Sequence, residues 1–440
     1  MIRKPVLLLL LLSSASLVHG ADLMTLYHDA QAYDAQFAAA LASVEAGRSA
    51  TAQGRAGLLP SIVASASTQN NDVRYKPNSP AATGLRQKYD SSGWNLTLTQ
   101  PLFRWDRIAG YSQGQARTAQ AEAQFGLAKQ DLIVRAAQAY FDVLQSQETL
   151  SAAEANRKAI SEQLEEAKRS FEVGTKTVVE VHDAQARYDL TTAQEIVAAN
   201  DLAVKSEQLR LLAGKRYDAL RGLRGGIEIP RPQPDSIDQW VSSAETGYFG
   251  VQSAQAQLDI QQQEINRQRA GHLPSLDLVA TRGRSSQDAS VLTGFGNDTQ
   301  STTVGLQLSI PIFSGGGTWA AVDQAVAQKD KASADLDNAR RTAALQARQA
   351  YLGVVAGLSQ VKALEAALVS SQSALDSNKL GFEVGVRTNI DVLNAQSQYY
   401  STRQNLMKAR LDTLAAILKL KYSAGTLGEE DLKAINGLLE

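Results

Sequence analysis

The chain carries one structural unit twice, and that duplication limits the folds open to it more than any other feature. Placing Phe171 on Phe382, an offset of 211, makes ten of 24 successive positions identical, including Ala184-Gln185 with Ala395-Gln396 and Tyr188 with Tyr399. Near the same offset, Gln138-Ala-Tyr140 matches Gln349-Ala-Tyr351, Gln100-Pro-Leu-Phe103 matches Ile310-Pro-Ile-Phe313, and Gly57-Leu-Leu-Pro60 matches Gly271-His-Leu-Pro274. Each half therefore reads helix, proline, strand, loop, strand, proline, very long helix, turn, long helix.

Asp106 to Val173 and Trp319 to Val384 contain no proline and are rich in Ala, Gln, Leu, Glu and Lys. Such composition predicts helix. At ~1.5 Å per residue each would run about 100 Å, too long for a compact domain. Apolar residues recur every seven positions, at Leu190, Val197, Val204 and Leu211, at Val354, Val361, Leu368 and Leu375, and at Leu393, Tyr400, Met407 and Leu414. A heptad keeps one seam against a neighbour, and the Ala and Ser that fill much of the rest point to close contact on two sides.

Trp94 to Gln100 and Thr303 to Ile310 alternate apolar and polar instead, as strands with one greasy and one wet face. Their partners, around Ser61 to Gln69 and Ser275 to Thr281, alternate less cleanly. About ten residues suit a tilted membrane strand, and Trp94, Phe103, Trp105, Phe313 and Trp319 stand where interfacial aromatics belong. Asn71 to Lys88 and Ser285 to Gln300 read as polar loops. Four strands cannot close a barrel, since the smallest need about eight. The expectation is an α+β membrane protein whose copies share a barrel, and strand arithmetic allows either a dimer or a trimer.

Residues 1–20 carry Arg3 and Lys4, the apolar run Val6 to Leu12, and a close at Val18-His19-Gly20, the pattern of a secretory leader. Beyond it no stretch approaches the ~18 to 20 apolar residues of a membrane helix, so a membrane would be crossed by strands. The expected organisation is a first repeat over 21–213, with strands about 60–101 and a helical hairpin about 104–213, then a linker over 214–245 marked by glycines and by Ile229-Pro-Arg-Pro-Gln-Pro234. A second repeat follows over 246–421, with strands about 272–311 and a hairpin about 317–421, and then a terminal segment over 422–440.

With no cysteine the exported chain has no disulfide framework, thiolate metal site or lipid-bearing N-terminal cysteine, and a formal charge of −1 gives no field for nucleic acid. His19, His28, His182 and His272 form no ligand-spaced cluster, and no phosphate loop, nucleophile elbow or paired catalytic carboxylates occur. Neither a cofactor nor an enzymatic activity is expected.

The matching turns, Phe171 to Val181 and Phe382 to Val392, read as a helix stop followed by a helix start. Gly174 and Gly385 suit the left-handed residue past a helix end, while Lys176 and Arg387 complement its negative pole. Thr177-Val-Val-Glu180 and Thr388-Asn-Ile-Asp391 are expected to be capping boxes or near relatives, worth about 0.5 to 2 kcal/mol each.

Duplicated halves with these turns resemble the TolC-like outer-membrane efflux proteins over essentially the whole mature chain. The most specific pieces are Gly271 to Leu278, Val384 to Ala395 and Gly425 to Leu432. The resemblance implies a homotrimer in the outer-membrane lipid, with a twelve-stranded β-barrel continued by a twelve-helix periplasmic α-barrel and a belt formed by the linker and the C-terminal segment. It implies a passive exit duct for drugs or secreted proteins, engaged by a periplasmic adaptor and an inner-membrane transporter of the RND, ABC or MFS type.

The resemblance also implies roles for the turns as the constricted periplasmic mouth. Arg387 stands where an arginine tethers neighbouring helix pairs and Glu180 at its acidic partner, with Lys176, Phe382 and Asp183 beside them. Asp391 matches the first of two acids ringing the pore. Val173-Gly174-Thr175 and Val384-Gly385-Val386 match the tips that meet the adaptor. Phe382 replaces a tyrosine, Asn394 replaces the second ring acid, and Val386 departs from the usual Thr or Leu. Three acids (Glu180, Asp183, Asp391) against two bases (Lys176, Arg387) predict a mild cation preference. The competing reading is a periplasmic adaptor with a coiled-coil hairpin and no pore, against which stand the duplication and the four membrane-length strands.

Overall fold

The computed structural model describes residues 20–76, 85–175, 177–289 and 294–440. The expected leader, Gly20 apart, and Lys176 lie outside them. The elements run α1 (Leu23–Tyr33), α2 (Ala35–Ala56), β1 (Ser61–Tyr75), β2 (Leu85–Phe103), α3 (Trp105–Glu172) and α4 (Val178–Ala213). Then come α5 (Ile237–Gly247), α6 (Phe249–Arg269), a 3₁₀ turn (Ala270–His272), β3 (Ser275–Gln287), β4 (Asn297–Ser309), α7 (Gly317–Glu383), α8 (Asn389–Ser423) and α9 (Glu429–Asn436). The series helix, helix, strand, strand, long helix, helix is traversed twice.

One compact unit comprises Leu41–Gly126 and Phe249–Arg341. Its sheet is antiparallel in the order β1-β2-β3-β4, so β1 and β4 are edges. Registers Ile62↔Leu98, Leu98↔Ala280 and Ala280↔Val304 put these residues on one face, with Leu96, Leu278, Leu306 and Leu308 beside them. Ser65↔Asn95, Thr97↔Thr281 and Thr281↔Thr303 put hydroxyls and amides on the other. Leu306, Leu308 and Ile62 are exposed, because nothing among the described residues covers the apolar face. At the foot of the sheet Arg104 grips Asp277 through two bonds, Nε to Oδ1 at 3.1 Å and Nη2 to Oδ2 at 2.7 Å, tying the start of α3 to β3.

The strands exceed the expected length of ten: β1 has 15 residues and β2 has 19. Much of the two expected loops is therefore ladder, up to Tyr75 and Gln287 and from Leu85 and Asn297. Charged cross-strand pairs, Asp72 with Arg86 and Asp298 with Arg284, support these ends where hydrophobic alternation has faded.

The other unit comprises residues up to Ala40, Leu127–Tyr248 and Thr342–Glu440. Leu23, Leu26 and Tyr27 of α1, Leu132, Ile133 and Tyr140 of α3, and Leu414, Leu418 and Leu432 are fully or almost fully buried. At the end of α1, Asp34 takes two hydrogen bonds from Arg135, at 2.8 and 3.2 Å, which hold its carboxyl below the usual range. The irregular segment is sewn to the long helices: Tyr140 Oη donates to Ala21 and Arg221 carbonyls, and its repeat counterpart Tyr351 donates to Asp235.

Two expectations change. Ile237–Gly247, inside the stretch expected to be an irregular linker, is helix α5. Proline ends at Pro234, and Trp240, Val241 and Ala244 then recur at helical spacing and are buried. The expectation that no stretch beyond the leader is apolar enough to span a membrane also fails, since α7 holds one 18-residue window that is. Only 11% of that window is buried, and α7 is rich in closely spaced Ala, Val and Leu.

Candidate functional site at the paired helix turns

Both turns close their helix in the same way. Gly174 and Gly385 have φ of 75° and 80°, conformations that would strain a residue bearing a side chain. The next amides reach back to the last helical turn, Thr175 N–H to Ser170 O at 2.9 Å and Val386 N–H to Gly381 O at 2.8 Å. That is the Schellman closure the glycines predict.

The restarts differ. Thr388 and Asp391 form a full capping box: Thr388 N–H donates to Asp391 Oδ2 at 2.9 Å and Asp391 N–H to Thr388 Oγ1 at 3.3 Å. The Thr388 amide is the main cause that keeps the Asp391 carboxyl below its usual range, with Arg387 adding to it. Thr177, expected to cap α4 likewise, makes no side-chain cap bond, and only its carbonyl engages Glu180, at 3.2 Å. Glu180 is exposed, although a glutamate at this position can reach back to the cap.

Arg387 is exposed, and its stem lies across Gly381. Within the chain Arg387 and Glu180 form no salt bridge. Phe382 is half-buried at the end of α7, while Val173, Val384 and Val386 are exposed apolar tips flanking the turn glycines. Gly174 and Thr175 are exposed with them.

Asp183 does meet a partner. Arg187, one turn along α4, bonds Asp183 at 3.3 Å and donates from Nη1 to Asn394 Oδ1 of α8 at 3.5 Å. Sequence reasoning did not single out Arg187. Its spacing of four from Asp183 was the available signal, but the bond to Asn394 spans 207 residues and leaves none. The tally of three acids against two bases is corrected accordingly, since Arg187 neutralises Asp183 in place.

Above the turns Leu164 and Ala167 of α3 pack on Ala184, Val181 and Tyr188 of α4, and Arg157 pairs with Glu195. The duplication extends to Thr191 and Thr402, both buried and both back-bonded to a carbonyl four residues earlier. Such packing makes each hairpin a stiff lever with a polar, solvent-exposed end.

A sheet with one uncovered apolar face, carried on long helices that end in exposed twin turns, defines an outer-membrane channel subunit. The chain belongs to the outer membrane efflux protein family, whose model matches residues 26–215 and 240–426. It is 31% identical over 428 residues to outer membrane protein TolC of Vibrio cholerae, covering 97% of this chain and 95% of that one. It is 33% identical over 440 residues to the proteases secretion protein PrtF of Dickeya chrysanthemi, covering 98% and 94%. Among solved structures the Campylobacter jejuni CmeC outer membrane channel superposes with a TM-score of 0.80 at 18% identity, over 96% of this chain and 90% of that one. This membership removes the reading as a pore-less adaptor and places the protein in the outer membrane.

Proposed function

We propose that three copies of this chain close one pore, a trans-periplasmic exit duct gated at the paired turns. One observation carries the reading: the α4 heptad row that should be a seam is bare. Leu190, Val197, Val204 and Leu211 are 60%, 69%, 46% and 79% exposed, whereas Val354, Val361, Leu393 and Leu414 of the second half are buried. A row of large apolar residues on a soluble stretch of helix needs another helix against it. The sheet makes the same demand, because the edges β1 and β4 would leave backbone groups unpaired in lipid at several kcal/mol each. Three copies of four strands satisfy both.

In that assembly Arg387 of one helix pair meets Glu180 of its neighbour. Each such exposed tether is worth about 0.2 to 1 kcal/mol, so closure rests on threefold repetition and on packing. Asp391 lines the mouth, and the valine tips at 173, 384 and 386 receive a periplasmic adaptor. An inner-membrane transporter of the RND, ABC or MFS type supplies the driving force and chooses the cargo, drugs or secreted proteins. Relatives named for protease secretion, at 32% and 33% identity, and one named for antibiotic efflux, at 24%, keep both cargoes within this reading.

Native mass spectrometry of the detergent-extracted protein tests the assembly. Three chains per particle is the expected mass, and a monomer or dimer would overturn it. Deleting the gene and scoring drug susceptibility beside the secreted proteome identifies the cargo.

A further inference from the structure

The apolar face of the sheet is interrupted at one place. Leu276, Leu278 and Ala280 of β3 point to it, and the next two residues of the same face are Arg282 and Arg284. Two residues apart on one strand, their side chains leave the sheet about 7 Å from each other. Arg284 stands opposite Trp94 and Arg282 opposite Leu96 on β2, with Gln300 and Thr302 across from them on β4. Both arginines are exposed. Arg284 is engaged by the Asp298 carboxylate, whereas Arg282 forms no ion pair among the described residues.

Their level in the sheet matters. β1–β2 and β3–β4 are joined at one end, beyond Tyr75 and Gln287, while the helices leave from the other end, at Trp105 and Gly317. Below the arginines the face is apolar as far as the aromatics Phe103, Trp105, Phe313 and Trp319, Gln100 apart, whose amide bonds the Leu58 carbonyl. Above them it turns polar and charged, with Asp72, Arg86, Lys88 and Asp298. Trp94 marks the boundary, as interfacial tryptophans do. Arg282 and Arg284 thus lie on the lipid-facing side at the outer boundary of the hydrocarbon, where an uncompensated guanidinium is costly unless it meets an anion.

We propose that Arg282, with Arg284 and the polar side chains of Gln300 and Thr302, forms a docking site for a phosphorylated lipid headgroup of the outer leaflet, the phosphoglucosamine of lipopolysaccharide. A guanidinium matches phosphate in a bidentate, charge-assisted geometry that an ammonium cannot reproduce. Trp94 lies against the sugar and the upper acyl carbons, and the apolar rungs below take the chains. Arg284 is held in place by Asp298, so Arg282 supplies the uncommitted charge. The proposal rests on the reading that three copies close a barrel with this face outward, and the particle mass described above tests that assembly independently.

The test uses the full-length protein in a non-ionic detergent and measures binding of bis-phosphorylated lipid A, enzymatically dephosphorylated lipid A, phosphatidylglycerol and inorganic phosphate. Binding of bis-phosphorylated lipid A about tenfold tighter than of the dephosphorylated form is expected, with Arg282→Gln removing most of the difference and Arg282→Lys only part of it. Unchanged gel migration and helicity of the variants show that the fold is intact. Equal binding of the two lipid A forms, or an unchanged Arg282→Gln variant, would overturn the site. Competition by inorganic phosphate, or equally tight phosphatidylglycerol, would overturn lipopolysaccharide as its source.

Discussion

The stem of Arg387 lies across Gly381, so close that a Cβ added to the glycine would come within 2.6 Å of the arginine Cγ and 3.3 Å of its Cβ. The repeat-equivalent positions are Ser170 and Lys176. One turn has thus been cleared of a side chain where its arginine folds back, and the other has not. The two hairpins are built alike but are unequal at their ends.

Gly381→Ala is therefore expected to displace Arg387 without unfolding α7, since alanine favours a helix by up to about 1 kcal/mol over glycine. Single-channel recording should show a raised resting conductance, approaching that of Arg387→Ser. A wild-type trace from Gly381→Ala would mean that the position of the arginine stem does not matter.

The Asp391 cap has a defined pH dependence. Its folded-state pKa lies below the ordinary value of 3.8, so its contribution is fully present above that value and is lost as pH falls through the lowered one. Amide protection in the first turn of α8, taken against the rate of an unstructured amide at the same pH, is expected to hold at pH 7 and to fall only at strongly acidic pH. Asp391→Asn should exchange faster than wild type at pH 7 and no differently once the wild-type acid is protonated.

At the mouth, Asp183 is already matched by Arg187, which leaves Glu180 and Asp391 against Lys176 and Arg387 and removes the excess of acid behind the expected cation preference, so the wild-type channel should be nearly unselective. Bilayer reversal potentials should show Arg187→Ala shifting selectivity towards cations, and Asp391→Asn shifting it towards anions. An anion-selective wild-type channel would contradict this account of the mouth.

Away from the mouth, the Asp34 and Arg135 pair joins the end of α1 to α3. Asp34 is only 8% exposed, while Arg135 keeps a second partner, Asp131, at 2.7 Å, so removing Asp34 costs about 1 to 3 kcal/mol in lost hydrogen bonds. Asp34→Ala should lower the urea midpoint, and the double change Asp34→Leu with Arg135→Met should recover only part of it, because the Phe37 N–H also loses its acceptor in Asp34.

The duplication, the two long hairpins, the turn glycines and the capping of Asp391 were legible because each depends on residues close in sequence. Strand ends were not: Asp72 with Arg86 and Arg284 with Asp298 carry the ladder outward through charge pairs that break the apolar alternation. Helix α5 was hidden behind the prolines that precede it. At the mouth, the bond from Arg187 to Asn394 and the clearance at Gly381 are properties of packed surfaces, to which local spacing is blind. Sequence also placed Thr177 and Thr388 as equivalent caps, whereas only Thr388 closes its box.

The central claim is a pore held shut at unequal twin turns. Its most direct measurement is the resting conductance of purified Arg387→Ser and Lys176→Ser channels in planar bilayers, against wild type. The account predicts a clear increase for Arg387→Ser and a smaller one for Lys176→Ser. Equal effects, or none, would reduce the turns to helix caps and contradict it.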